Sequence, residues 1–212
     1  MLERKTVRKK HVPNNYQRPT VRALTKKPQM HTWIWLLLTV AGTLFGLKIA
    51  YIVCTALVLP TTRGALFVST SRVRISAFLD AVPMRPGQLL VDIGCGDGRV
   101  LRKVRNRYGA RAIGYEVNLL AYLKAKLLCL GLKEVAVKWR NFWTADLSGA
   151  DVVFCYLFPD VMSDLAVKLK SELKPGAVVV SCNFDLPGFT PMQILRPGNS
   201  LNNDPIYLYR VQ

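Results

Sequence analysis

The chain has 212 residues, half of them hydrophobic, and 30 Lys and Arg against 13 Asp and Glu give a formal net charge of +17. That length allows one ordinary domain and an appendage. Five scattered cysteines without a CxxC pair, and histidines only at His11 and His31, argue against a zinc site.

Residues 1–31 carry nine Lys and Arg and one acid, Glu3, with no apolar period. They read as a flexible arm with three open roles: attraction to anionic lipid headgroups, a mitochondrial transit peptide, or a bare topology signal. Residues 32–59 follow as a candidate membrane helix. From Trp33 to Leu59 there is a single charge, Lys48, and the run is apolar on all faces, which fits a bilayer span better than a helix docked on a domain. Trp33 and Trp35 sit at its entry edge, where indoles favour the headgroup layer. Lys48 is costly near a bilayer centre. It snorkels, faces another subunit, or marks a break between two shorter pieces.

Residues 60–212 form the remaining domain. The spacing predicts a helix over 71–82 with Ser71 as N-cap and Val73, Ser76, Ala77, Leu79 and Val82 along its inner face. Further helices are predicted at 98–108, 119–131 (closed by Gly131) and 160–173. Strands are predicted at 88–93, 110–117, 134–139, 151–158, 176–184 and 206–211. Alternating strands and helices imply a mostly parallel sheet with helices on both faces. The cysteines fall singly in apolar stretches and read as small buried hydrophobes, in keeping with a reducing compartment. Cys155 and Cys182 fall on neighbouring expected strands, where a functional disulfide is not the expectation.

The most informative stretch is VDIGCGDGRV, Val91 to Val100. Three glycines in five residues, between a strand and a helix, make a turn that a ligand can approach closely. Helix-start amides favour an anion, so the ligand should carry a carboxylate or a phosphate. The spacing is G-x-G-x-G rather than the G-x-G-x-x-G of dinucleotide folds, and Asp97 crowds the place of a pyrophosphate. An amino acid fits better, its carboxylate on the amides and its ammonium facing Asp92 or Asp97. Glu116, 22 residues after Gly94, closes the next strand, where an acid can bind a ribose diol. An amino acid at one end and a ribose at the other describe S-adenosylmethionine.

Together with GYEVN and LKPGAVVVS, this stretch resembles the class I S-adenosylmethionine-dependent methyltransferases over about residues 67–212. The resemblance implies a Rossmann-like sheet of seven strands, preceded here by the hydrophobic helix. NFWTADLSGADVVFCYLFPDVMSDL and VVVSCNFDLPGF further resemble the lysine methyltransferases that modify the ATP synthase c-subunit and the adenine nucleotide translocator, with their prokaryotic relatives. That family often carries an aromatic-Val-Pro-Thr segment before the first helix, thought to close over the cofactor. The matching Phe67-Val68-Ser69-Thr70 has Ser in place of Pro.

The resemblance implies a role for each motif residue. Asp92, Gly94, Gly96, Asp97 and Gly98 would hold the methionine end of S-adenosylmethionine, and Glu116 the ribose. Asn141 and Phe142 would meet adenine, although Phe142 and Trp143 read equally as core. Tyr156 and Asn183 would be catalytic, with Phe67, Thr70, Phe158 and Pro159 lining the substrate channel. No obvious general base is present, and no metal is expected. The implied partner is a protein substrate, most naturally a membrane protein, with membrane lipid around the N-terminal segment. A small membrane molecule as substrate and a non-catalytic cofactor-binding protein remain alternatives. Nucleic acid is disfavoured, because enzymes acting on base amino groups usually carry polar-Pro-Pro-aromatic where this chain has Tyr156-Leu157-Phe158-Pro159. The implied location is a bacterial or mitochondrial inner membrane, with the catalytic domain on the cytosolic or matrix side. A single span would then put the basic arm on the far side, against the positive-inside tendency.

Overall fold

The computed structural model describes residues 29–58, 70–198 and 204–212. The basic arm up to residue 28 lies outside the described residues. Helix α1 (Gln29–Val58) is one continuous element. Its stretch Thr32–Val53 is long and apolar enough to cross a membrane, and Trp33 and Trp35 are each 68 % exposed. The helix runs through Lys48 without interruption, so the break considered at that lysine does not occur.

The second unit is a seven-stranded sheet with helices on both faces. In chain order its elements are α2 (Arg72–Ala81), β1 (Leu89–Ile93), α3 (Arg99–Tyr108), β2 (Arg111–Glu116), α4 (Leu119–Leu128), β3 (Val135–Trp139), β4 (Val152–Cys155), α5 (Met162–Glu172), β5 (Val178–Cys182), β6 (Gln193–Leu195) and β7 (Ile206–Arg210). The spatial order is β3-β2-β1-β4-β5-β7-β6. Strands β1 to β5 pair in parallel, while β7 runs antiparallel to both β5 and β6. The order reverses where β1 lies between β2 and β4, and in open α/β sheets ligands bind outside the carboxyl ends of the strands at that point.

Composition explains the central strands. Every residue of β4 (VVFC) and β5 (VVVSC) is buried, as expected for parallel strands covered on both faces. Phe154 turns toward α2, its ring 4.9 Å from that of Phe78, within a core that includes Ile75, Leu90, Leu101 and Val104. Val153 and Cys155 turn the other way, toward Leu165 and Leu169 of α5. Each fully buried leucine there contributes about 2 kcal/mol of transfer free energy.

Several boundaries differ from the sequence reading. Helix α4 ends at a cap on Cys129 rather than at Gly131. Pairing of β4 stops at Cys155, and Tyr156 to Phe158 lead into a short 3-10 turn, Pro159–Val161, before α5. The inner face of α2 is Arg74, Ile75, Phe78 and Leu79, and Val73 is 59 % exposed. Placing Val73 and Ser76 on the inner face set that helix's phase wrongly. Cys155 and Cys182 do lie on adjacent strands, but Cys155 pairs with Ser181, which turns Cys182 to the opposite face of the sheet. Both are free thiols, and burial pushes Cys155 up to about 12.

Candidate active site

The loop after β1 folds back on β2. Gly94, Gly96 and Gly98 take φ of +82°, +55° and +69°, a region that costs a residue with a Cβ roughly 1–2 kcal/mol at each position. The amides of Gly94 and Cys95 both donate to Tyr115 O at 3.0 Å, and Gly98 N donates to Cys95 O at 2.8 Å. Gly96 N donates to Glu116 Oε2 at 2.8 Å. These four amides are therefore bonded within the protein. Cys95 is seated on Gly114, where a Cβ would lie 2.6 Å from its Sγ. A larger residue at 114 would lift the loop off the sheet.

Three acids meet beside this loop. Asp92 is 3 % exposed. Burial first, then Glu116 and Asp97, push its carboxyl well above the usual range. Glu116 Oε1 accepts from the amides of Val117 and Asn118 at 2.9 and 2.8 Å, so with Gly96 it holds three backbone donors. Burial still raises its pKa against those bonds. Asp97 is different. Its carboxylate takes a bidentate pair from Arg99, 2.9 Å on each oxygen, and that guanidinium holds it below its ordinary value against burial. Arg99 also donates to Thr70 O at 3.0 Å, tying the loop to the segment before α2. Asp92 suits a cationic ligand group better than Asp97, whose charge Arg99 already covers.

Asn141 follows β3. Its Oδ1 accepts from Trp143 N at 3.1 Å and caps the 3-10 turn Phe142–Thr144. The Phe142 ring lies 4.7 Å from that of Trp143, and both are partly buried against the α5-side core.

Across the switch point, Tyr156 and Asn183 come together from the ends of β4 and β5. Asn183 Nδ2 donates to Tyr156 Oη at 3.1 Å. Asn183 has φ +72°, a conformation asparagine tolerates better than most residues, and its N–H donates to Pro205 O at 2.9 Å. Its Oδ1 is buried without a hydrogen-bond partner among the described residues. A buried acceptor left this way costs about 1–3 kcal/mol. Two residues missed by sequence reasoning complete the cluster. Arg74 is 6 % exposed, its guanidinium carbon 5.4 Å from the centre of the Tyr156 ring. It pairs with Asp204 at 2.5 Å. The available signal was an arginine in phase with Ile75 and Phe78 on a helix that must bury one face.

Of the remaining channel candidates, Thr70 is buried and Phe158 half-buried, while Pro159 is exposed. Phe67 lies outside the described residues. Among the described residues no cluster of His, Cys, Asp and Glu could hold a metal ion.

A sheet of this order with only β7 reversed, a glycine turn at β1 and a buried acid closing β2 define a class I S-adenosylmethionine-dependent methyltransferase. The donor set fits that cofactor: buried carboxylates suit a cationic amino acid and a diol. Residues 92–193 match a family model described as the ANTKMT methyltransferase domain. The human lysine N-methyltransferase of the ATP synthase c-subunit is 32 % identical, over 80 % of this chain and 73 % of its own. A protein-lysine N-methyltransferase from Saccharolobus islandicus is 29 % identical, over 68 % and 91 %. Among solved structures, an RNA methyltransferase from Salinibacter ruber in complex with S-adenosyl-L-homocysteine superposes with a TM-score of 0.63 at 28 % identity, over 68 % of this chain and 94 % of that one. The chain belongs to the family of lysine methyltransferases that the first two comparisons define, and it is an S-adenosylmethionine-dependent methyltransferase.

Proposed function

We propose that the protein is anchored in a membrane by α1, behind its basic arm of residues 1–31, and that its domain of residues 60–212 methylates a lysine of a membrane protein. The observation that carries the lysine reading is the buried Oδ1 of Asn183 beside Tyr156, without a hydrogen-bond partner among the described residues. Relatives named for the ATP synthase c-subunit and for adenine nucleotide translocase support a protein substrate. The Thr32–Val53 stretch supports a membrane location, in a bacterial or mitochondrial inner membrane with the domain on the cytosolic or matrix side.

S-adenosylmethionine, when bound, supplies an electrophilic methyl group on a sulfonium. Asp92 would face the cationic amino-acid end, Glu116 would accept from the ribose, and Asn141 and Phe142 would border the adenine. Gly94, Gly96 and Gly98 let the ligand approach the backbone, and Asp97 with Arg99 holds the loop against the Thr70 segment. A lysine amine must arrive neutral although its ordinary pKa is about 10.4, and enclosure by Phe158, Tyr156 and Thr70 disfavours its charged form. Asn183 Oδ1 accepts one amine hydrogen and so orients the nitrogen lone pair. The methylated amine releases its extra proton to solvent.

The test is transfer of radiolabel from S-adenosylmethionine to membranes lacking the enzyme. Asp92→Asn is the control, since Glu116 also supports the loop backbone. A discrete protein band that maps to lysine is expected. Label only in the lipid extract would overturn the protein reading in favour of a small membrane molecule. Label only in RNA would favour the activity named for the Salinibacter relative. Cofactor binding without any transfer would leave a non-catalytic binding protein.

A further inference from the structure

Helix α4 is apolar on two opposite sides. Ala121 and Ala125 face the domain. On the far side Leu123 and Leu127, at i, i+4 spacing and 50 and 71 % exposed, form a ridge, and Leu130, 77 % exposed, follows in the turn beyond the Cys129 cap. Amphipathicity requires only the inner stripe, so the outer ridge is unexplained by folding. Lys124 and Lys126 flank it on either side, both exposed. Lys124 reaches to 3.9 Å from Asp97, and Lys126 lies 5.8 Å from the Tyr122 ring. Tyr122 stacks on Trp139 at 6.3 Å, and Trp139 is 60 % exposed.

Helix α3 starts against α4, where Gly98 faces Ala125 and Cys129, and its Arg105 Nε donates at 2.7 Å to Lys133 O in the loop after α4. From residue 98 to residue 133 there are nine Lys and Arg and one acid, Glu116, which is buried against the glycine loop. Arg72, Lys103 and Arg107 line a cleft of about 280 Å³ between α2 and α3, floored by Ile75 and Leu79.

We infer that the outer face of α3 and α4 docks on an anionic lipid bilayer, with the leucine ridge entering the interface and the surrounding cations meeting headgroup phosphates. An aliphatic ridge between lysines, with a tryptophan and a tyrosine at its edge, is the pattern of an interfacial helix. Nucleic-acid surfaces read bases with aromatics and hydrogen-bonding groups, which a leucine ridge lacks. A second copy on the same patch would bring lysine against lysine. The inference goes beyond the anchor, because it puts the catalytic domain itself on the lipid.

The test compares hydrogen exchange of residues 119–130 in the full chain reconstituted in vesicles of phosphatidylcholine alone or mixed with phosphatidylglycerol. Exchange roughly tenfold slower in the anionic vesicles is expected, with the difference lost at high salt. The combined Leu123→Ser, Leu127→Ser and Leu130→Ser protein should lose it too, while keeping its melting temperature and cofactor affinity. Should the triple variant fail to fold, Lys124→Gln with Lys126→Gln serves, with the same loss expected. Equal exchange in both vesicles would overturn the inference. So would protection that rises with protein concentration, or that appears with added RNA in place of anionic lipid. Each outcome is independent of α1, which holds the chain in both vesicles.

Discussion

The two sides of the switch point are built on opposite plans. On the β1–β2 side, backbone donors and acidic acceptors are matched to one another: Tyr115 O takes two amides, Glu116 takes three and Arg99 covers Asp97. On the β4–β5 side a buried arginine lies over a tyrosine, and the Asn183 amide oxygen has no partner among the described residues. The first side is acidic and internally complete. The second is aromatic, and its buried cation, Arg74, is already paired with Asp204. Such a division suits a site that holds a cationic cofactor in a rigid cradle and admits a neutral amine opposite. Substitutions on the two sides should therefore fail in different ways.

The largest effect is expected at Asp92. Asp92→Asn should weaken S-adenosylmethionine binding by about 100-fold, the order expected for a lost charged partner, measured by calorimetry. It should also stabilise the ligand-free protein by about 1 kcal/mol, because a costly buried carboxyl is removed. The sign follows from the raised pKa. The folded state holds a proton on Asp92 that the unfolded state has released, so stability falls as pH rises from the usual carboxylate range through the raised value. Asp92→Asn should flatten that fall in thermal melts. A variant that loses stability together with affinity would break the picture of a strained cradle.

Asn183 comes next. Asn183→Gly keeps the positive φ and removes the amide, and should lower kcat by about 30-fold with cofactor affinity unchanged. Asn183→Ala should lose the same activity and a further 1 kcal/mol or so of stability, from the left-handed backbone. If the glycine variant instead bound cofactor poorly, the two sides would not be separate. Tyr156→Phe removes the acceptor of the Asn183 amide but keeps the ring beneath Arg74. A fall of about fivefold in kcat is expected. The smallest effect is a proton count: above the usual carboxylate range, cofactor binding should release protons as Asp92 ionises, read from calorimetry in buffers of different ionisation enthalpy.

The legible parts of the molecule were those with a local cause. The central strands announced themselves as apolar runs, the glycine turn by its spacing, and the start of α2 by Ser71. What stayed hidden was set by distant partners. Arg74 is in phase with the buried face of its helix, but the partner that lets an arginine be buried there, Asp204, lies 130 positions away, and no helical period points to it. The loop amides are bonded by Tyr115 and Glu116 from the next strand, partners that the local spacing does not announce. β6 is three residues at the sheet edge, with Gln193 and Ile194 exposed and prolines nearby, and it has no run long enough to read.

Strand β7 carries a consequence for biosynthesis. The backbone hydrogen bonds of Gly94 to Gly98, and the amides that Glu116 holds, come from residues 94–118. Arg74 and Asn183 wait for Asp204 and Pro205 at the start of β7. On the ribosome, the cradle residues therefore emerge about ninety positions before the contacts that order the opposite wall.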